Sequence, residues 1–192
     1  MIGAIVAGGL SAPTAPVTNS YESIETFTVG SGGSSSITFG SGGTIPQTYK
    51  HLQLRILSRS DLAGSGNNVG MYARFNTDTG SNYNWHELYA NGSSAYAYGQ
   101  GDTGMAINPH IPRAGDTANS FAGTILDILD YTDTNKNTTT RALAGNDTNG
   151  GGWIHLTSGL WRNTAAVTSI TLFLESSNFA QYSSLALYGI NG

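Results

Sequence analysis

Apolar residues recur at every second position over short stretches of this chain, and glycine- or proline-containing segments end each stretch, a pattern that predicts β-strands. The clearest case runs from Ile45 to Ser60. After Pro46, Leu52, Leu54 and Ile56 point one way while Gln53, Arg55 and Arg59 point the other, the two-residue period of a half-buried strand. Burying the three aliphatic side chains stabilises by about 1.5–3 kcal/mol each. A one-residue slip would carry Arg55 inside and put Leu54 in water, so the pattern specifies the register.

The same reading extends along the chain. Tyr21 to Val29 and Ser35 to Phe39 are strands, each closed by a Gly-Ser-Gly-Gly turn, at 30–33 and again at 40–43. Val69, Met71, Ala73 and Phe75 alternate against Tyr72, Arg74 and Asn76. The stretch from Asn76 to Gly104, with Tyr83, Trp85, Tyr89, Tyr96 and Tyr98 among Asn, Gly and Ser, predicts short strands and an aromatic, polar surface. Pro109 and Pro112 punctuate a loop. Phe121 to Tyr131, carrying Ile125, Leu126, Ile128 and Leu129, predicts a central strand buried on both faces. Further strands follow at Thr138 to Ala144, Trp153 to Leu160, Val167 to Glu175 and Ser183 to Ile190.

No segment pairs helical caps with a 3.6-residue period. About ten short antiparallel strands without crossover helices predict an all-β, jelly-roll-like β-sandwich over residues 21–192. Residues 1–20 precede it as an extended N-terminal arm: Met1 to Leu10 are small and apolar, and Pro13 and Pro16 form a linker. A secretion signal would carry a basic n-region, which is missing here. The arm is therefore expected to dock on its own domain or a neighbouring subunit, through Ile2, Ile5, Val6 and Leu10.

Composition narrows the function. Only 10% of the 192 residues are charged, there are 26 glycines, and the net charge is −4. The eight Lys and Arg are scattered singly, so no basic stripe is present to neutralise a phosphate backbone and no nucleic-acid partner is expected. With no cysteine, disulfides and thiolate metal sites are excluded. No apolar run approaches the ~20 residues of a membrane-spanning helix, and no membrane partner is expected.

Candidate chemistry is sparse. Gly99 to Gly104 has dinucleotide-loop spacing, but Met105 to Pro109 cannot supply the helix N-terminus that would hold a pyrophosphate, leaving a glycine turn. Asp133 to Asn137 places oxygen ligands at alternate positions as calcium loops do, yet Thr138 stands where glycine is needed and Ala144 where glutamate is needed, so an Asn-rich hairpin turn is the reading. His86-Glu87 lacks the second histidine of a zinc-protease helix; His51, His110 and His155 are scattered. Asp127 and Asp130 do not face each other as a glycosidase pair would, and Asp127 is expected to pair with Arg141 or Arg162. No nucleophile elbow occurs. The chain reads as a non-enzyme with no catalytic residue, cofactor or metal. Tyr83, Trp85 and Tyr89, flanked by amides, are candidate glycan-facing rings; the competing reading packs them at a sandwich edge or subunit interface.

Several pieces resemble small virion proteins of tailed bacteriophages: Tyr21-Glu22-Ser23-Ile24, Thr28 to Gly33, Ile45 to Arg55, Asp127 to Tyr131, Ser158 to Trp161, and Asn178 to Ser184 running on to Leu187-Tyr188-Gly189-Ile190. The resemblance covers most of the chain from Tyr21 onward. It implies a virion location, a compact β domain and a homotrimer. It also implies a capsid decoration (cement) protein that clamps the major capsid protein through its arm and a sandwich edge. A tail- or head-fibre module, or a carbohydrate-binding module contacting host-surface glycan, is the alternative. In a trimer or on a shell the outward Arg55 and Arg59 become candidate assembly contacts.

Overall fold

The structure, a computed structural model, describes residues 20–192; the candidate arm contacts Ile2, Ile5, Val6 and Leu10 lie outside them. Twelve strands form: β1 (Tyr21–Thr28), β2 (Ser36–Phe39), β3 (His51–Ser58), β4 (Val69–Phe75), β5 (Tyr83–Ala90), β6 (Ala95–Asp102), β7 (Met105–Ile111), β8 (Ala122–Leu129), β9 (Thr138–Asp147), β10 (Gly152–Trp161), β11 (Ile170–Leu174) and β12 (Ser184–Ile190). All pairings are antiparallel. An eight-stranded sheet, β1-β12-β3-β8-β9-β10-β5-β6, packs on a four-stranded one, β2-β11-β4-β7. This is the anticipated antiparallel β-sandwich, with twelve strands in place of about ten.

The Ile45–Ser60 stretch behaves as its alternation predicts. Leu52, Leu54 and Ile56 are buried, and in the register Leu54 lies between Leu187 of β12 and Leu126 of β8. Phe39, Phe75, Tyr83, Trp161 and Phe179 close the core without solvent exposure. Farther along the large sheet the inward positions become small: Thr140 and Ala142 on β9, Gly159 on β10. Strand β7 crosses there, and Met105 occupies the space a side chain at 159 would need, since a Cβ on Gly159 would lie 1.9 Å from the Met105 Sδ.

Four expectations require correction. Strand β8 is central, but no described element covers its outer side: Ile125 remains 41% exposed. The segment with Pro109 is strand, not loop; it forms the edge strand β7, whose pairing with β4 is irregular, and such an edge tolerates the missing N–H of proline. Gly99 to Asp102 continues edge strand β6 and is no turn. A neighbour lies over its glycine: a Cβ on Gly99 would meet the ring of exposed His86, which would have to turn aside.

Arg59 is the fourth. It is not outward but buried. The alternation of β3 ends at Ser58, where the chain bends so that the Ser60 N–H donates to the Pro112 carbonyl at 2.9 Å, and the parity of the strand no longer applies. The guanidinium reaches under the loop 113–120: Nη1 donates to the carbonyls of Thr117 (2.8 Å) and Ser120 (2.7 Å), and Nη2 to those of Asp116 (2.9 Å) and Ala114 (3.2 Å). It is a clasp for that loop and does not stand on the outer face.

Candidate functional site

Because side chains alternate across a strand, the pairing register lines up the residues of the eight-stranded sheet's outer face in rows. One row reads Ala186, Arg55, Ile125, Leu143, Leu156, Leu88, Ala97 from β12 to β6. Its four large aliphatic members, Ile125 to Leu88, are between 41% and 57% exposed. The neighbouring row reads Ser184, Leu57, Gly123, Gly145, Ile154, Ala90, Ala95. Two adjacent glycines between Leu57 and Ile154 leave a shallow apolar hollow of about 690 Å³, with Arg55 and Tyr188 at its rim.

A third row is polar: Tyr188, Gln53, Asp127, Arg141, Ser158, His86. It neutralises itself. Arg141 pairs with Asp127 at 2.8 Å, as the sequence led us to expect, and Gln53 donates to the other Asp127 oxygen at 2.8 Å. Arg162 bonds the Ser81 carbonyl instead. Arg55 is exposed on this face; its guanidinium lies 5.3 Å from the rings of both Tyr21 and Tyr188, and its Nε donates to Gln53 at 3.1 Å.

The expected aromatic surface is rearranged. Tyr83 and Trp85 are buried, so neither presents a ring to a glycan. Both fall on the inward parity of β5, where Tyr83 stacks against Trp161 and its hydroxyl donates to the Asp78 carbonyl at 3.1 Å; burial pushes that hydroxyl up to about 12. Tyr89 is half-buried, stacked between Tyr96 and His155. The rings left open are Tyr96 and Tyr98 on edge strand β6, 42% and 50% exposed, with the Tyr98 hydroxyl 2.6 Å from Gln100 Oε1.

Behind that edge lies a chain of groups that sequence reading missed. Glu87 accepts from His155 Nδ1 at 3.1 Å, and His155 Nε2 meets His110 Nδ1 at 2.9 Å. His155 and Glu87 are buried, and His110 stacks on Trp153 with ring centres 4.0 Å apart. Burial first, and the neighbouring His155 second, lower the His110 pKa from 6.5 to about 4. The three residues come from three strands in two sheets, so no spacing in the chain announces them.

The loop that resembles a calcium site is occupied by amines. Asp130 pairs with Lys136 and, at 2.8 Å, with Lys50; those two partners, Lys136 first, hold its carboxyl down at about 2. Asp133 accepts from the Asn135 N–H at 2.9 Å, the expected Asn-rich turn. Among the described residues no group of three or more His, Cys, Asp or Glu is placed to hold a metal ion, and no helix is long and apolar enough to cross a membrane. No family model, no curated protein and no solved structure matches the chain.

Proposed function

We propose that this chain is a non-enzymatic structural protein of a tailed-bacteriophage virion, a capsid decoration (cement) protein that clamps subunits of the major capsid protein through its N-terminal arm and one sandwich edge. The observation that carries the reading is the outer face of the eight-stranded sheet, where aliphatic side chains stand half exposed in continuous rows. Contiguous apolar surface of this kind marks a protein finished by assembly. The resemblance of Tyr21 to Gly33, Ile45 to Arg55 and the C-terminal pieces to small phage virion proteins supplies the setting. All twelve described strands belong to one sandwich, which favours decoration over a fibre.

The test is incorporation. Deleting residues 1–16 leaves all twelve described strands in place, so the truncated protein keeps its β circular-dichroism spectrum while disappearing from purified particles. Truncated protein present in particles at the normal copy number refutes the clamping role. A glycan-contacting role has one supporting observation, the exposed Tyr96 and Tyr98 beside Gln100. It requires glycan-array binding that is lost on replacing those two tyrosines by alanine.

A further inference from the structure

We infer that the outer face of the eight-stranded sheet is a self-association surface, and that its occupant is the same face of a second copy of this chain. This does not depend on the virion reading.

The two apolar rows are complementary to each other. Ile125 and Leu143 form a ridge on β8 and β9, and on the same two strands, one row along, Gly123 and Gly145 floor the hollow. A half-turn about an axis running across the strands between the rows sets the ridge of each copy into the hollow of the other. That is an isologous contact, the closed kind that stops at two. The size fits as well. At ~4.8 Å per strand and ~7 Å per row, the two apolar rows over seven strands cover on the order of 500 Å² per copy, about 1,000 Å² in all, the lower end of the range for a specific interface.

Charge permits the contact. Arg55 is the only charged residue in the two apolar rows, and Asp127 and Arg141 in the polar row are already paired with each other, so no unpaired acidic or basic cluster is present to select an oppositely charged partner.

Gly123 provides an independent observation. A glycine inside a strand costs about 0.5–1 kcal/mol relative to alanine and often marks the close approach of something else. Among the described residues nothing approaches: a Cβ on Gly123 would meet no atom within 4 Å, and its backbone does not require glycine. Gly145 differs, since its Cβ would press on the Trp153 carbonyl at 3.0 Å. The space over Gly123 is unused by the described residues and matches the ridge of another copy.

The experiment is light scattering on the full chain, with a 20.0 kDa protomer, comparing wild type with Gly123→Val and Leu143→Lys. The expected wild-type particle holds an even number of chains: two, or six if the homotrimer implied by the resemblance also forms. In each variant the number halves, the dissociation constant of the contact rising roughly tenfold or more. Gly123→Val separates this from misfolding, because a β-branched residue in open space on a strand leaves the melting temperature of the isolated chain unchanged or higher. An odd number of chains in wild type, or an even number that survives both substitutions, overturns the proposal.

Discussion

Replacing Arg59 by methionine keeps the apolar stem and removes every donor from beneath the loop 113–120. Four backbone carbonyls, of Ala114, Asp116, Thr117 and Ser120, then lose a charged donor that sits 2.7–3.2 Å away. A hydrogen bond to a charged group contributes about 1.5–3 kcal/mol, but these four share one guanidinium and are not additive. The loop is largely exposed, so water takes over part of what is lost. The expected loss is about 2–4 kcal/mol, a large share of the ~5–15 kcal/mol that holds a domain folded, and about 2–4 °C in melting temperature per kcal/mol at this chain length. Lysine retains the charge without the planar fork and falls between wild type and methionine. Urea denaturation at fixed protein concentration gives the stability change, and hydrogen exchange shows amides 113–120 losing protection while β3 amides keep theirs. A methionine variant within about 0.5 kcal/mol of wild type, the ordinary range for surface substitutions, would refute the clasp and return Arg59 to the surface.

Two further predictions concern the interior. Gly159→Ala drives a Cβ toward the Met105 thioether and, at 2.5 Å, the Thr140 hydroxyl, and costs about 1–3 kcal/mol by overpacking; combining it with Met105→Ala gives a double mutant more stable than the sum of the single losses, and strict additivity would disprove the contact. Acid stability separates the His110 chain from the Asp130 cluster. The lowered His110 pKa means that the unfolded chain binds the proton first, so its contribution is complete above 6.5 and is lost as pH falls towards about 4. Asp130 contributes above 3.8 and its share is lost only as pH falls towards about 2. His110, faced by His155 and, beyond it, Glu87, is therefore the group to remove: His110→Gln flattens the stability profile between pH 6.5 and 4 without altering the step below it, and an unchanged profile in that window counts against the assignment.

The two-residue alternation of apolar side chains determines by itself that the chain is a β-sandwich, where most of its strands lie outside the 76–111 stretch, and which side of β3 is buried. These are local properties: burial of Leu52, Leu54 and Ile56 on one face follows from the geometry of an extended chain, whatever lies opposite. The pairing of Asp127 with Arg141 was also within reach, because two charged residues on half-buried strands have few ways to be satisfied. Where the alternation stops, so does its reach. Arg59 follows the last regular residue of its strand, and the bend there sends it under a loop more than fifty residues away in sequence. Tyr83 and Trp85 look like a binding surface among their polar neighbours, and only the opposing sheet shows that their parity points inward.

The Glu87–His155–His110 chain and the rows of the outer face were decided by tertiary structure alone. Each row takes one residue from each of several strands, in an order β12-β3-β8-β9-β10-β5-β6 that the chain does not follow. Ile125, Leu143, Leu156 and Leu88 read one at a time as core residues; only strand order and register place them side by side on the face that no described element covers.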